Sequence, residues 1–212
     1  MAYLGDDATI ASISPPDNSS QSTHCARFYP IARNSLLELH PWGFATKRAS
    51  LALLAETPPS AWLYVYALPS DALNLLSIIP SDTTDDYGVG RPANGSSTGI
   101  TSSSVGIYTP QSYSQEIDPF GAQVIYSNQV NAVLRYTALI TDPTQFPPLF
   151  VEALAWLLAS KLAGPVLKGE AGSKMSMECI KQFRYWMSQA ATSDSNQQRH
   201  QVPMQTNWLA NR

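Results

Sequence analysis

The strongest hydrophobic signal in the chain runs from Phe146 to Gly164, FPPLFVEALAWLLASKLAG, where Leu149 to Val151, Ala153 to Ala159, Leu162 and Ala163 are all apolar. A surface helix needs a single apolar stripe, so a pattern this wide predicts a helix enclosed on several sides. Pro147 and Pro148 suit a first turn, and Gly164-Pro165 predicts a sharp end. A membrane span needs roughly 20 apolar residues. This run is shorter, is bounded by prolines and carries Glu152 and Lys161, which favours the central helix of a packed domain.

Other segments arrange themselves around that helix. Thr9 to Ile13 reads as a short strand ended by Pro15-Pro16, and Asn18, Ser19 and Ser20 are candidate caps for a following helix. Cys25, Phe28, Ala32, Leu36 and Leu39 recur at steps of three and four, predicting that helix over Gln21 to His40 with a bend at Pro30. His40-Pro41-Trp42-Gly43-Phe44 breaks it and turns two aromatic rings toward the core. Lys47 to Glu56 has no clear period, and Trp62, Tyr64 and Tyr66 alternate as in a strand. Leu68 to Asp71 reads as a turn whose Ser70-Asp71 caps one helical turn, followed by a second strand over Leu75 to Ile79.

From Ser81 to Ser114, Ser, Thr and Gly dominate and no apolar period persists, which predicts a long exposed loop with a short strand around Val105 to Tyr108. Gln123 to Tyr126 and Val130 to Ile140 flank Ser127-Asn128 and read as a hairpin. After a Gly164 to Gly172 connection, Met177, Ile180, Phe183, Met187 and Ala190 mark an amphipathic helix over Ser173 to Ala191. Thr192 to Arg212 is polar, apart from Trp208-Leu209, and reads as a tail that orders only on a partner's surface.

Composition adds a constraint on the surface. The 212 residues are 44% hydrophobic, enough for one substantial core, yet only 14% charged, against roughly 25% in an ordinary soluble protein. A surface so sparsely charged fits a subunit held among others. The net charge of -3 gives no basic footprint for gripping nucleic acid. Cys25 and Cys179 share no CxxC or Cys/His spacing and read as two small buried thiols. Met1 to Ile13 lacks the basic start and continuous apolar run of a signal peptide, so folding in a reducing cytoplasm is expected.

Candidate chemistry is sparse. His24, His40 and His200 share no short motif with Cys, Asp or Glu, and Asp6-Asp7 and Asp85-Asp86 read as solvated loop charges. The glycines between Gly88 and Gly106 match no phosphate-binding loop. A hydrolase would need His24 or His40 beside an acidic residue in a pocket. No catalytic residue, cofactor or metal site is expected.

An ordered set of motifs does carry a resemblance. RNSLLELHPWGFA over 33–45, YVYALPSDAL over 64–73, Arg135-Tyr136 and FPPLFVEALAWLLASKLAGPVLKG over 146–169 together resemble the head-to-tail adaptor of short-tailed bacteriophages, also called tail tubular protein A or the gatekeeper. The match runs from about Leu4 to Ala191. His40, Pro41, Trp42, Phe44, Pro69, Asp71, Tyr136 and Trp156 form its motif core. Arg33-Asn34 stands where Arg-Asp is the family pattern, and the stretch 81–114 is longer than the family pattern.

The resemblance implies an α+β fold, mainly a helical bundle with an inserted β-rich subdomain and an extended C-terminal arm. The adaptor domain would span 1–191, with the bundle over about 18–56 and 146–191 and the β-rich insertion over about 62–140. The arm, 192–212, would contact the portal protein through Val202, Met204, Trp208 and Leu209. The family implies a dodecameric ring between portal and tail nozzle, possible contact with tail fibres, and genomic double-stranded DNA passing through without specific binding. It places the protein in the virion, assembled in the host cytoplasm and away from membranes. A fibre-attachment or capsid-decoration protein would share the apolar helices without a channel.

Overall fold

The computed structural model describes residues 2–5, 9–59, 61–79 and 111–197, and the fold is α+β. The described residues divide into a helical unit, 2–45 with 139–197, and a β unit, 46–79 with 111–138. The β unit thus interrupts the helical unit in sequence. The expected boundary at residue 56 moves back to Thr46, because the segment of unclear period begins with a strand.

In the helical unit, α1 spans Ser20–Glu38, α2 Pro148–Leu167 and α3 Gly169–Gln197. Ser19 caps α1, its Oγ accepting from the Ser22 amide at 3.0 Å. Asp17 braces this cap by accepting from the Ser19 hydroxyl at 2.6 Å and the Ala11 amide at 2.8 Å. Those donors hold its carboxyl down to about 2, the Ser19 hydroxyl most of all. Pro30 lies inside α1, which continues through it as one helix. Thr9 to Ile13 forms no strand and makes only a single bridge, Ile13 to Pro16. Pro15 and Pro16 have no amide donors to extend a ladder.

Helix α2 does not stop at Gly164-Pro165 but runs on to Leu167. A proline this close to the end forfeits one amide bond and leaves the rest of the ladder intact. The stop falls at Lys168, where φ turns to 55° and the amide bonds back to Gly164 O at 3.0 Å. Lys168 alone separates α2 from α3. The full helix has 20 residues and is long and apolar enough to cross a membrane by length and composition, which overturns the argument from its shortness. Here it packs against both α1 and α3.

The face of α3 turned toward α2 is set by small residues. Gly172 and Cys179 are buried, whereas Met177, expected on the core stripe, is 66% exposed. At Gly172 a Cβ would fall 2.9 Å from Ala163 O, closer than real Cβ atoms approach. Close backbone approach therefore selects small side chains for the contact and pushes larger ones to its edges. Ser176 Oγ donates to Ser160 O at 2.8 Å across the same seam. Cys25 and Cys179 are free and buried, and join Leu4, Ala159, Leu162 and Ala163 in one apolar cluster. Burial pushes both thiols up.

The β unit holds β1 (Thr46–Ser50), β2 (Tyr64–Ala67), β3 (Ala72–Ile79), β4 (Tyr113–Ile117), β5 (Gln123–Ser127) and β6 (Val133–Ala138). They form two antiparallel three-stranded sheets, ordered β1-β6-β3 and β2-β5-β4. The chain after β1 crosses to the second sheet through Leu54 N to Val65 O and Ala67 N to Ala52 O, both 2.9 Å. On the other side, Tyr113 Oη donates to Leu75 O at 3.2 Å.

Three expectations change here. The helical turn after Asp71 is absent, since Ala72 opens β3 directly, its amide turning back to Pro69 O at 3.0 Å. The expected hairpin joining 123–126 to 130–140 does not form, because β5 and β6 belong to different sheets. The intervening residues bend away, with Asn131 at φ 50° and Ala132 O accepting from Leu51 N at 2.9 Å. Strand β5 instead lies between β2 and β4, and the polar sequence YSQEI hid β4 at the end of the expected loop. The expected strand at 105–108 lies outside the described residues.

Thr137, on β6, is fully buried and its Oγ1 has no hydrogen-bond partner among the described residues. A buried, unsatisfied hydroxyl costs about 1 to 3 kcal/mol. Thr137→Val keeps the shape and removes that cost, so chemical denaturation should show a variant stabilised by about 1 kcal/mol. A clear destabilisation would reveal a partner for the hydroxyl.

Candidate functional site

The residues following α1 build the most concentrated polar and aromatic cluster of the helical unit. Helix α1 ends at Glu38, leaving its last carbonyls without intrahelical donors. Trp42 supplies one, donating Nε1–H to Leu36 O at 2.9 Å from a buried position. Around its ring stand His40 at 4.7 Å, edge-on, and Phe150 at 5.1 Å and 89°. Phe44 and Phe146 complete the group, lying 5.0 and 4.9 Å from Phe150. Aromatic pairs of this kind contribute about 0.5 to 1.5 kcal/mol each beyond their buried area.

Asp194 locks the cluster from the far end of α3. Its Oδ1 and Oδ2 accept from the Gly43 amide at 3.0 and 3.1 Å, and His40 Nε2 lies 3.1 Å from Oδ2. The carboxylate is buried, so it requires this pairing. Sequence reasoning missed Asp194 by ending the helix at Ala191 on polar composition. One signal was available, since Asp194 follows the buried Ala190 by four residues, one turn further along the same face.

This arrangement does put a histidine beside an acid, as a hydrolytic reading requires. Asp194 is the only side chain among the described residues that hydrogen-bonds His40. With both carboxylate oxygens taken by the backbone of the turn, the pair chiefly fixes the HPWGF segment in place. Among the described residues, no group of three or more His, Cys, Asp and Glu is placed to hold a metal ion.

The remaining motif residues separate. Asp71 and Tyr136 meet in the β unit, the Tyr136 hydroxyl donating to Asp71 Oδ1 at 2.9 Å while Lys47 Nζ reaches Oδ2 at 2.8 Å. Lys47, first, and Tyr136 hold the Asp71 carboxyl below its ordinary value. Burial, first, and the neighbouring carboxylate push the Tyr136 phenol up to about 12. Pro69 forms the turn before β3, and Pro41 is exposed. Trp156 stands apart on α2, its ring 4.3 Å from Tyr3, whose hydroxyl donates to Glu152 at 2.8 Å. Val202, Met204, Trp208 and Leu209 lie outside the described residues, and residues 192–197 of the expected arm belong to α3, which extends to Gln197.

Two surface features were not legible in the sequence. A cleft of about 430 Å³ opens between the first turn of α1, at Ser20, Gln21 and His24, and the end of α2, from Pro165 to Lys168. In the β unit, the β4–β5 turn presents Phe120 with 86% of its surface exposed. Asp118 is buried beneath it, Oδ1 accepting from the Phe120 and Ala122 amides at 2.8 Å each. The Asp118 amide bonds to Ala122 O at 2.9 Å, and Gly121 provides the positive φ of 89° that the turn needs.

No family model and no curated protein matches the chain.

Asp194→Ala should destabilise the helical unit by about 2 to 3 kcal/mol, because it strands the Gly43 amide and unpairs His40. Chemical denaturation with far-ultraviolet circular dichroism measures this, and a change within error would show that the clamp is dispensable. Tyr136 gives a second readout. Its folded pKa lies above the unfolded value near 10, so unfolded chains lose the proton first and stability falls from about pH 10 toward about 12. Tyr136→Phe should cost about 1 kcal/mol at pH 7 and flatten that alkaline decline in denaturation series.

Proposed function

We propose that this chain is a structural subunit of a short-tailed phage virion, a head-to-tail adaptor. It assembles as a ring, dodecameric in the family it resembles, between the portal protein and the tail nozzle, and lines the channel through which DNA leaves. The observation that carries this reading is a helical unit interrupted in sequence by a β module, the layout that the ordered motifs imply. Several motif residues sit at junctions. His40, Trp42 and Phe44 secure the end of α1, and Asp71 with Tyr136 secures the start of β3.

Further support comes from the surface. Met177, Ile180 and Tyr185 on α3 and Val151 on α2 are exposed apolar side chains on the helical unit. Such faces fit a subunit completed by neighbouring copies. The net charge of -3 suits a conduit that lets DNA pass, since firm phosphate contacts would hold it in place. The role is structural, with no enzymatic step, and the site of action is the virion after assembly in the host cytoplasm. Glu152 and Lys161 on α2, with α1 and α3 packed beside it, favour a protein environment for that helix over a bilayer.

Deleting 198–212 should leave the unfolding midpoint of the remaining chain unchanged and abolish co-sedimentation with the portal protein. Binding retained by the truncated chain would remove the arm from the account. Failure of the full chain to bind the portal would sink the adaptor reading in favour of a fibre-attachment or decoration role.

A further inference from the structure

We propose that the Phe120 tip of one copy seats in the cleft between α1 and α2 of the next copy. This rests on the ring reading above and names its contact. Phe120 is the most exposed large apolar side chain among the described residues, at 86%, and Ile117 beside it is 67% exposed. A loose loop would bury such a ring against its own chain or pay to order it on binding. This one is held in advance by the four hydrogen bonds that Asp118 makes to Phe120, Gly121 and Ala122. A rigid, protruding aromatic side chain is the usual anchor of a protein interface.

The cleft offers what that anchor needs. One wall is apolar, made by Pro165, Val166 and Leu167, and the 430 Å³ volume admits a ring and an adjoining proline. The charges are complementary. Glu116 is exposed on the strand leading to the tip, whereas Lys168 borders the cleft. Tip and cleft are different surfaces, so the contact is heterologous and each copy offers both halves. Repetition of such a contact builds a ring when the rotation closes. A single inserted ring buries far less than the roughly 1,200 Å² of a stable pair. In a closed ring every copy is held by two such contacts, so its release requires both to break.

The test uses the full chain with Ala122→Cys beside the tip and, separately, Gln21→Cys at the cleft, leaving Phe120 and the apolar wall intact. Cys25 and Cys179 are buried and serve as the background. A short bis-maleimide should cross-link an equal mixture of the two variants and neither variant alone. Phe120→Ser should weaken self-association at least about tenfold in sedimentation velocity without moving the thermal midpoint.

If the wild type forms oligomers but the mixture does not cross-link, or Phe120→Ser assembles normally, this contact is wrong and the ring reading stands. Cross-linking of the Ala122→Cys variant with itself also overturns it, since that outcome means a symmetric tip-to-tip contact. A wild type that stays monomeric, both alone and with the portal protein, sinks the contact and the ring reading together.

Discussion

Burial of α2 is the constraint from which the rest of the helical unit follows. A 20-residue helix that is apolar on nearly all sides gains by removing part of that surface from water, and α1 and α3 cover it from two directions. Coverage by α3 depends on backbone approach, which is why Gly172 meets Ala163 at a distance that excludes any larger residue. The single-residue joint at Lys168 then leaves α3 little choice but to fold back along α2. Leu4 and the two cysteines fill the seam that the three helices leave.

Once α3 is laid down, its far end meets the segment after α1, and the Asp194 clamp forms there. The clamp joins residues 151 positions apart, between Gly43 and Asp194. It ties the place where the chain leaves the helical unit to the last turn of the final helix. The aromatic cluster of Trp42, Phe44, Phe146 and Phe150 packs beside it and brackets the β insertion, because Phe44 precedes that insertion and Phe146 follows it. A buried carboxylate and four rings thus hold together two stretches that the β unit separates in sequence.

Sequence periodicity made the helices legible and left the sheets half hidden. An apolar stripe located α1 and a wide apolar pattern located α2, and the Ser19 cap could be read in advance. The ends of α2 and α3 could not, because a proline in a last turn costs one bond and polar residues can extend a helix that tertiary contacts hold. Strand β4 escaped because YSQEI, on a sheet edge, buries little and carries no apolar alternation. The hairpin expected from β5 and β6 failed because local spacing says nothing about which sheet a strand joins. In the site, His40 and Trp42 stood out from the sequence, whereas Asp194, Asp118 and the cleft depend on contacts between distant segments.

The two ends of the β unit have a neighbourly geometry. It begins with β1 and finishes with β6, and these strands are antiparallel partners with Thr46 opposite Thr137. Residues facing each other across such a ladder sit about 5 Å apart. The whole module therefore leaves the host chain and returns to it through one narrow doorway, as a tight turn would. A cassette attached in this way can be lengthened, exchanged or even excised and bridged by a short linker, with little demand on the helices that carry it.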